Sequence, residues 1–221
     1  MKFKTTTLVI VLALTALSAS AETKSALVQY LMGTSDAEPT HTASGLEATP
    51  LMPGQPRPLV TGFSKPNNNA FYLLNNSDKG APLLATSKEA ALEGDAYFEF
   101  TVTPTTGHPL HMSELNFHVG HEGSRTLGIY FVVTAKTGET SLTEEAQFGT
   151  LSSYEAIEAE SGSSKLSASA RVNLAALPSS LSKPVTFRIY TYYELLSGSE
   201  IPSGYTNSIR LGEISLLGEV R

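Results

Sequence analysis

Four histidines between positions 108 and 121 are the residues of this sequence best suited to chemistry. They stand in the runs HPLH and FHVGH, with two residues between the members of each pair. Histidine is the commonest metal ligand among titratable side chains, and a turn followed by a strand can bring several rings together. Spacing alone does not supply the tetrahedral convergence of a zinc site, so solvent-facing histidines are the alternative. The candidate metal ligands are His108, His111, His118 and His121.

A second candidate site consists of aromatic and planar polar residues towards the C-terminus. Saccharide sites combine rings that pack on the C–H faces of a sugar with side chains that exchange hydrogen bonds with its hydroxyls. The sequence has no tryptophan, and tyrosines on a strand are also typical of cross-strand pairs that support a sheet. A carbohydrate site and a purely structural cluster are therefore both open. The candidate ligand-binding residues are Arg188, Tyr190, Tyr192, Tyr205 and Asn207.

Signals of catalysis are weak. The sequence contains no G-x-S-x-G elbow and no H-E-x-x-H motif, because Arg125 stands where the second histidine of the latter belongs. Glu99 and Glu114 fall on predicted strands, whereas a glycosidase needs two carboxylates across one cleft. We predict a protein without enzymatic activity and without a required cofactor. The ions considered are zinc at the histidines and calcium at the acidic residues 155–160.

The first 21 residues, MKFKTTTLVIVLALTALSASA, have the organisation of a secretory signal peptide. Two lysines form the positive region, an apolar run follows, and Ala-Ser-Ala before position 22 is a small-residue cleavage site. The apolar run is shorter than the roughly 20 residues that cross a bilayer. We predict export to the periplasm, the cell surface or the medium, a single mature domain of residues 22–221, and no transmembrane segment after cleavage.

Composition limits the partners and the means of stabilisation. The formal net charge is −6, and an acidic chain lacks the basic patch that nucleic acid requires, so we predict no nucleic-acid partner. There is no cysteine, which excludes disulfides and thiolate metal sites. The hydrophobic core alone must therefore hold a domain of this size. The partners we expect are extracellular polysaccharides or envelope components.

The elements that must position these residues are strands. Residues 184–221 contain two long runs in which apolar and polar residues alternate with a period of two, as in half-buried strands. In the second run the apolar phase changes between Leu211 and Ile214. Gly212 at this change of phase indicates a β-bulge.

The same alternation predicts further strands. Residues 96–103, 112–119 and 165–174 each present one apolar face, and residues 127–134 are apolar on both faces, as in a central strand. Ser87 is the predicted cap of a short helical segment that ends at Glu93. Residues 141–162 give no clear pattern, although an Ala-Ile-Glu-Ala run there is compatible with a helical turn.

Counted together, the sequence predicts eight or nine strands separated by turn signals. This census favours an all-β fold: an antiparallel β-sandwich with minor helical turns. A jelly-roll is the preferred topology, and an immunoglobulin-like sandwich is the alternative.

Four sequence segments now support a resemblance to a known family. They are YFEFTVTP from Tyr97, the LNF strand from Leu115, TFRIY from Thr186, and RLGEISLLGEV from Arg210. In this order they resemble the secreted β-sandwich proteins of environmental bacteria that often carry a PEP-CTERM sorting tail. The resemblance implies a sandwich fold and export. It implies no activity, because that family has no established common one.

Two departures from the family pattern affect what the resemblance implies. Gly212-Glu213 replaces the Asp-Asn pair that usually precedes the last apolar strand, and no sorting tail precedes Arg221. The resemblance therefore does not imply anchoring by the sorting route. We predict a non-enzymatic surface, matrix or adhesion module; a carbohydrate-binding domain is the alternative, and a polysaccharide hydrolase is the third hypothesis.

Overall fold

The structure, a computed structural model, describes most of the predicted mature domain. The predicted signal peptide, residues 1–21, lies outside the described residues, as do the acidic residues 155–160. The described residues are 24–31, 38–54, 60–64, 69–73, 84–94, 96–122, 127–138, 140–151, 168–195 and 208–221.

Within these ranges the chain forms thirteen strands and one short helix. The strands are β1 (Ser25–Tyr30), β2 (His41–Thr42), β3 (Leu46–Ala48), β4 (Met52–Pro53), β5 (Val60–Ser64), β6 (Asn69–Leu73), β7 (Tyr97–Pro104), β8 (Leu110–Glu122), β9 (Leu127–Thr137), β10 (Thr140–Leu151), β11 (Ala168–Asn173), β12 (Val185–Leu195) and β13 (Ser208–Val220). The helix is α1 (Lys88–Glu93), and no helix in the described ranges is long and apolar enough to span a membrane.

Eight of these strands build two packed antiparallel sheets. One sheet has the order β11-β8-β13-β1, and the other has the order β10-β9-β12-β7. Successive strands from β7 to β9 and from β10 to β13 alternate between the sheets. Within β7 to β13, β9 and β10 are the one successive pair that forms a hairpin. This is the connectivity of a jelly-roll sandwich, so the predicted fold class is confirmed. Of the short strands, β2 adds to the edge at β1, and β3 and β4 add to the edge at β7, whereas β6 lies beside β13 and pairs with β5.

β13 is the central strand of the first sheet. It pairs with β8 along its whole length, and its other edge is shared between β6 and β1. The inward side chains Ile209, Leu211, Ile214 and Leu216 are all fully buried, in the two phases that the sequence predicts. The register with β8 shifts between Gly212 and Ile214, so the predicted bulge is confirmed.

Aromatic rings join the two sheets across the core. Tyr30 of β1 contacts Phe100 of β7 with 5.2 Å between ring centroids, and Phe117 of β8 meets Phe131 of β9 edge-on at 5.3 Å. Phe100 also stacks on Phe187 of β12 at 5.0 Å. Each of these rings is at most 1% exposed, and burial of such a side chain contributes about 1.5–3 kcal/mol. Packing of this kind stabilises the sandwich without a covalent link.

The structure confirms the predicted helix cap at Ser87 and shows a strand where the sequence has no clear pattern. Ser87 caps α1 as expected, because its hydroxyl oxygen accepts a hydrogen bond from the Ala90 N–H at 3.2 Å. The segment without a clear sequence pattern, residues 141–162, begins within β10, which pairs with β9 from Thr140 to Leu151. Pairing with the apolar central strand β9 determines that these residues form a strand, because their own sequence shows no preference for one. The Ala-Ile-Glu-Ala run lies outside the described residues.

Candidate functional site

A shallow groove crosses the outer face of the sheet formed by β8, β11 and β13. We call it the polar groove; it encloses about 530 Å³. Its walls are half-exposed or exposed, since Arg171 is 75% and Glu213 is 44% accessible at the side chain. The side chains that define it are Asn116, His118, Arg171, Glu213, Ser215 and Leu217.

Strand alternation directs these side chains outward. On β8, Leu115, Phe117 and Val119 are buried, so Asn116 and His118 point to the opposite face, as the sequence predicts. Asn116 is the central residue of a row that crosses four neighbouring strands. In order across the sheet, the row is Arg171 on β11, Asn116 on β8, Ser215 on β13 and Gln29 on β1, and each residue is the register partner of the next.

Glu114 ties the β11 side of the polar groove together. Its carboxylate accepts a hydrogen bond from the Asn116 amide at 2.8 Å and lies 3.3 Å from Arg171 Nε and 3.5 Å from Lys24 Nζ. The Glu114 side chain is only 12% exposed, so these partners offset the loss of hydration of a nearly buried charge. Because Arg171 is largely exposed, the attraction itself contributes about 1 kcal/mol or less.

The amide oxygen of Asn116 is buried, and no described group donates a hydrogen bond to it. The amide nitrogen of the same side chain is committed to Glu114, which fixes which end of the amide is left unpaired. An unsatisfied buried acceptor costs about 1–3 kcal/mol. Such groups are uncommon in native proteins, and each needs an explanation, such as a water, an ion or a ligand.

Glu213 lies at the β13 bulge in an unusual conformation. Its φ angle is +37°, and no other described non-glycine residue has a positive φ. The left-handed region costs a residue with a Cβ about 1–2 kcal/mol. The sequence pattern places Gly212 at the bulge, and glycine is the residue expected to adopt a left-handed backbone there. In the structure the next residue, Glu213, adopts it instead. The bulge aims the Glu213 carboxylate at His118, with 3.0 Å between Oε2 and Nδ1.

The structure spreads the predicted metal ligands along one strand. His108 is exposed in the turn before β8, and His111 and His118 lie seven positions apart on β8, which corresponds to roughly 23 Å of extended chain. His121 pairs through its backbone with Ile209, and its side chain lies outside the described part. Among the described residues, no group of three or more His, Cys, Asp or Glu side chains is placed to hold a metal ion.

The predicted saccharide-binding tyrosines belong to a cluster on the outer face of the second sheet. We call it the tyrosine cluster: Tyr97, Tyr130, Tyr190 and Tyr192. Tyr130 stacks on Tyr192 with 4.7 Å between centroids and 5° between planes, and Tyr97 meets Tyr190 at 5.1 Å. These are directly opposed cross-strand pairs, which support a sheet.

Helix α1 covers this cluster. Ala91 is buried against Tyr190 and Tyr192, with Ala85 and Leu92 beside it. Tyr190 is therefore only 4% exposed and Tyr192 only 6%. The structure brings these two predicted residues together but presents neither ring as an open platform. Tyr205 and Asn207 lie outside the described residues.

Arg188 borders the tyrosine cluster. Its Nε donates to Glu99 Oε2 at 2.6 Å, and its guanidinium lies 4.5 Å from the centroid of the Tyr97 ring, a cation–π geometry. The pKa of Arg188 is raised above its ordinary value, first by its side-chain hydrogen bond with Tyr190 and then by Glu99, while desolvation acts in the opposite direction. Arg188 is therefore a fixed positive charge that is already engaged on two sides.

The two carboxylates considered for glycoside hydrolysis do not face each other. Glu99 is on β7 and Glu114 on β8, and the inward neighbours of both strands, Phe98, Phe100 and Leu115, are buried in the core. Because the strands belong to opposite sheets, these outward side chains lie on opposite faces of the sandwich. They cannot flank one glycosidic bond, which requires a pair of carboxyl groups within about 10 Å.

Sequence reasoning missed the polar groove as a unit. The sequence identified His118 as a candidate residue and predicted the bulge at Gly212. It contains no signal that β11 and β13 lie on either side of β8, which brings the groove residues together. No protein-family model matches the chain, and no curated protein sequence is significantly similar to it. The resemblance to PEP-CTERM-associated proteins therefore stays a prediction.

Proposed function

We propose that this protein is an exported, non-enzymatic β-sandwich module that attaches to cell-surface or extracellular-matrix material. The observation that carries the proposal is the polar groove, in which Arg171 and Glu213 are open to water and are already oriented by contacts with Glu114 and His118. Catalysis depends on groups that act in an enclosed, water-excluded site. A broad, hydrated face with oriented side chains suits recognition of a polymer instead.

One feature of the sequence supports the export part of the proposal. The first 21 residues have the organisation of a signal peptide. The chain also contains no cysteine, and the core is closed by packed aliphatic and aromatic side chains from both sheets. The fold therefore needs no disulfide, and the absence of cysteine is compatible with export.

Binding to envelope material tests the module directly. Mature protein, residues 22–221, is mixed with bacterial cell-envelope fractions and with insoluble polysaccharides, and the bound amount is measured after sedimentation. We expect saturable retention by at least one envelope fraction and no release of reducing ends from any polysaccharide. The heat-unfolded protein is the control for non-specific adsorption. Absence of retention, or release of reducing ends, contradicts the proposal.

A carbohydrate-binding domain is the second candidate function. Asn116, His118 and Arg171 place planar polar groups on one open face, and such groups orient sugar hydroxyls. The tyrosine cluster with Arg188 has suitable chemistry on the other face, but it serves this function only if α1 moves. Selective retention by a purified polysaccharide, with none by protein-rich envelope fractions, distinguishes this candidate from a general matrix module.

A further inference from the structure

We propose that the polar groove binds a neutral saccharide chain and that Glu213 is its specificity-determining residue. The inference deepens the proposed function and rests on it, because it names the ligand class and the site. Three observations at one place carry it: the backbone of Glu213, the unpaired amide oxygen of Asn116, and the balance of charges around the groove.

The backbone at Glu213 is the first observation. A glycine stands one position earlier, yet the left-handed φ of +37° belongs to the glutamate. Backbone strain of this kind collects at binding and active sites, where the surroundings enforce it. Bulges commonly serve to re-aim one side chain. Here the re-aimed side chain is a carboxylate at the rim of the groove, 3.0 Å from His118.

The amide of Asn116 is the second observation. Its oxygen is buried without a donor, while its nitrogen is already bound to Glu114. The side chain lies between Arg171 on β11 and Ser215 on β13, at the centre of the polar groove. Because this oxygen has almost no accessible surface, it gains a donor when the amide turns towards the groove and meets a ligand hydroxyl or an ordered water.

The charge balance defines the class of ligand. Arg171 and Lys24 both lie within 3.5 Å of Glu114, and the Glu213 carboxylate lies 3.0 Å from the His118 ring. Binding of an anionic chain requires a cluster of cations, whereas the two described cations here are already engaged by one carboxylate. Hydroxyl groups both donate and accept, so they pair with carboxylate, amide and guanidinium together. Leu217 adds an apolar surface for sugar C–H groups.

The shape of the site favours a chain over a single sugar. The row Arg171, Asn116, Ser215 and Gln29 crosses four adjacent strands, which are about 4.8 Å apart. A ligand laid across the strands therefore meets polar side chains over roughly 14 Å. The Gln29 amide nitrogen lies 3.5 Å from the Ser215 hydroxyl, which extends the polar row beyond the groove itself.

A pair of matched variants tests the assignment. Glu213→Asn removes the carboxylate, and asparagine tolerates the left-handed backbone. Glu219→Asn makes the same chemical change on the same strand, at a residue paired with Arg221 and outside the groove. Affinity electrophoresis of mature protein, in EDTA, uses dextran, laminarin and xyloglucan as neutral probes and alginate as the acidic probe. Thermal unfolding of each variant verifies that it is folded.

We expect wild-type retardation by at least one neutral polysaccharide and not by alginate. Glu213→Asn should weaken that binding about tenfold or more, as loss of a charged hydrogen-bonding partner does, while Glu219→Asn stays within about twofold of wild type. Equal binding by Glu213→Asn overturns the site but leaves the module proposal standing. Retention by envelope fractions without retardation by any neutral polysaccharide overturns the ligand class alone. Failure of the module proposal itself appears separately, as absence of retention by envelope fractions.

Discussion

Gly218 is the position where one methyl group should damage this fold most. It lies on β13 next to a second register shift against β8. A Cβ there would overlap the carbonyl oxygen of His111, and it would come within 2.9 Å of Leu27 Cδ1 and 3.0 Å of Met112 Cα. Two of these three atoms belong to the backbone of β8, so a change of side-chain rotamer cannot relieve the clash.

The expected cost of Gly218→Ala follows from the ways in which the strand can respond. If β13 shifts while remaining paired, overpacking costs about 1–3 kcal/mol. If the end of β13 separates from β8, Leu110 and Met112, both at most 1% exposed, become accessible. Exposure of two such side chains costs about 3–6 kcal/mol. We expect Gly218→Ala to lower the free energy of unfolding by about 3 kcal/mol, the value that the two estimated ranges share.

Gly107→Ala is the matched control. Gly107 has φ +84°, but no atom lies within 4 Å of a Cβ at this position. Its replacement therefore introduces backbone strain alone, at about 1 kcal/mol. Urea denaturation of the mature proteins, monitored by circular dichroism, measures the loss in free energy of unfolding for both variants. The comparison requires that this free energy falls with urea concentration at the same slope in each protein. A loss for Gly218→Ala no larger than that for Gly107→Ala would refute the described packing of β13 on β8.

Two further substitutions test contacts on either side of the second sheet. Tyr30 donates a 2.6 Å hydrogen bond to the Thr49 carbonyl, so Tyr30→Phe should lower the free energy of unfolding by about 1 kcal/mol in urea, and an unchanged midpoint would contradict that bond. Ala91→Glu should force α1 off the tyrosine cluster and make Tyr192 reactive to tetranitromethane, because a carboxylate is not stable against buried rings. Ala90→Glu is the control, because it changes the exposed side of α1 and should leave Tyr192 protected. Equal nitration of Tyr192 in both variants would contradict the position of α1 over the tyrosine cluster.

Much of the fold was predictable because strand alternation is a local signal. The phases of β12, the change of phase in β13 and the cap at Ser87 each depend on residues within one element. A strand count near eight, together with these phases, was sufficient to favour a jelly-roll. β10 was missed because its conformation comes from pairing with β9 and not from its own pattern.

The candidate sites were harder to predict because they depend on neighbours distant in sequence. Strand alternation separates Tyr190 and Tyr192 from the core-facing residues of β12, but only the position of α1 decides that they are covered. His118 was singled out as a metal ligand, whereas its described partner is Glu213, 95 positions later in the chain. A left-handed glutamate beside a glycine has no sequence signature, since local preference assigns that backbone to glycine.

One face of β13 closes the core, and we propose that the other face carries a saccharide site. Amide chemical shifts of isotope-labelled mature protein, followed during titration with laminari-oligosaccharides and dextran oligosaccharides, locate such a site residue by residue. We expect shifts at the Asn116 side-chain amide and at the backbone amides of residues 212–215, with Tyr190, Tyr192 and α1 unchanged. Shifts confined to α1 and the tyrosine cluster, or no shifts at millimolar ligand, would contradict the proposal.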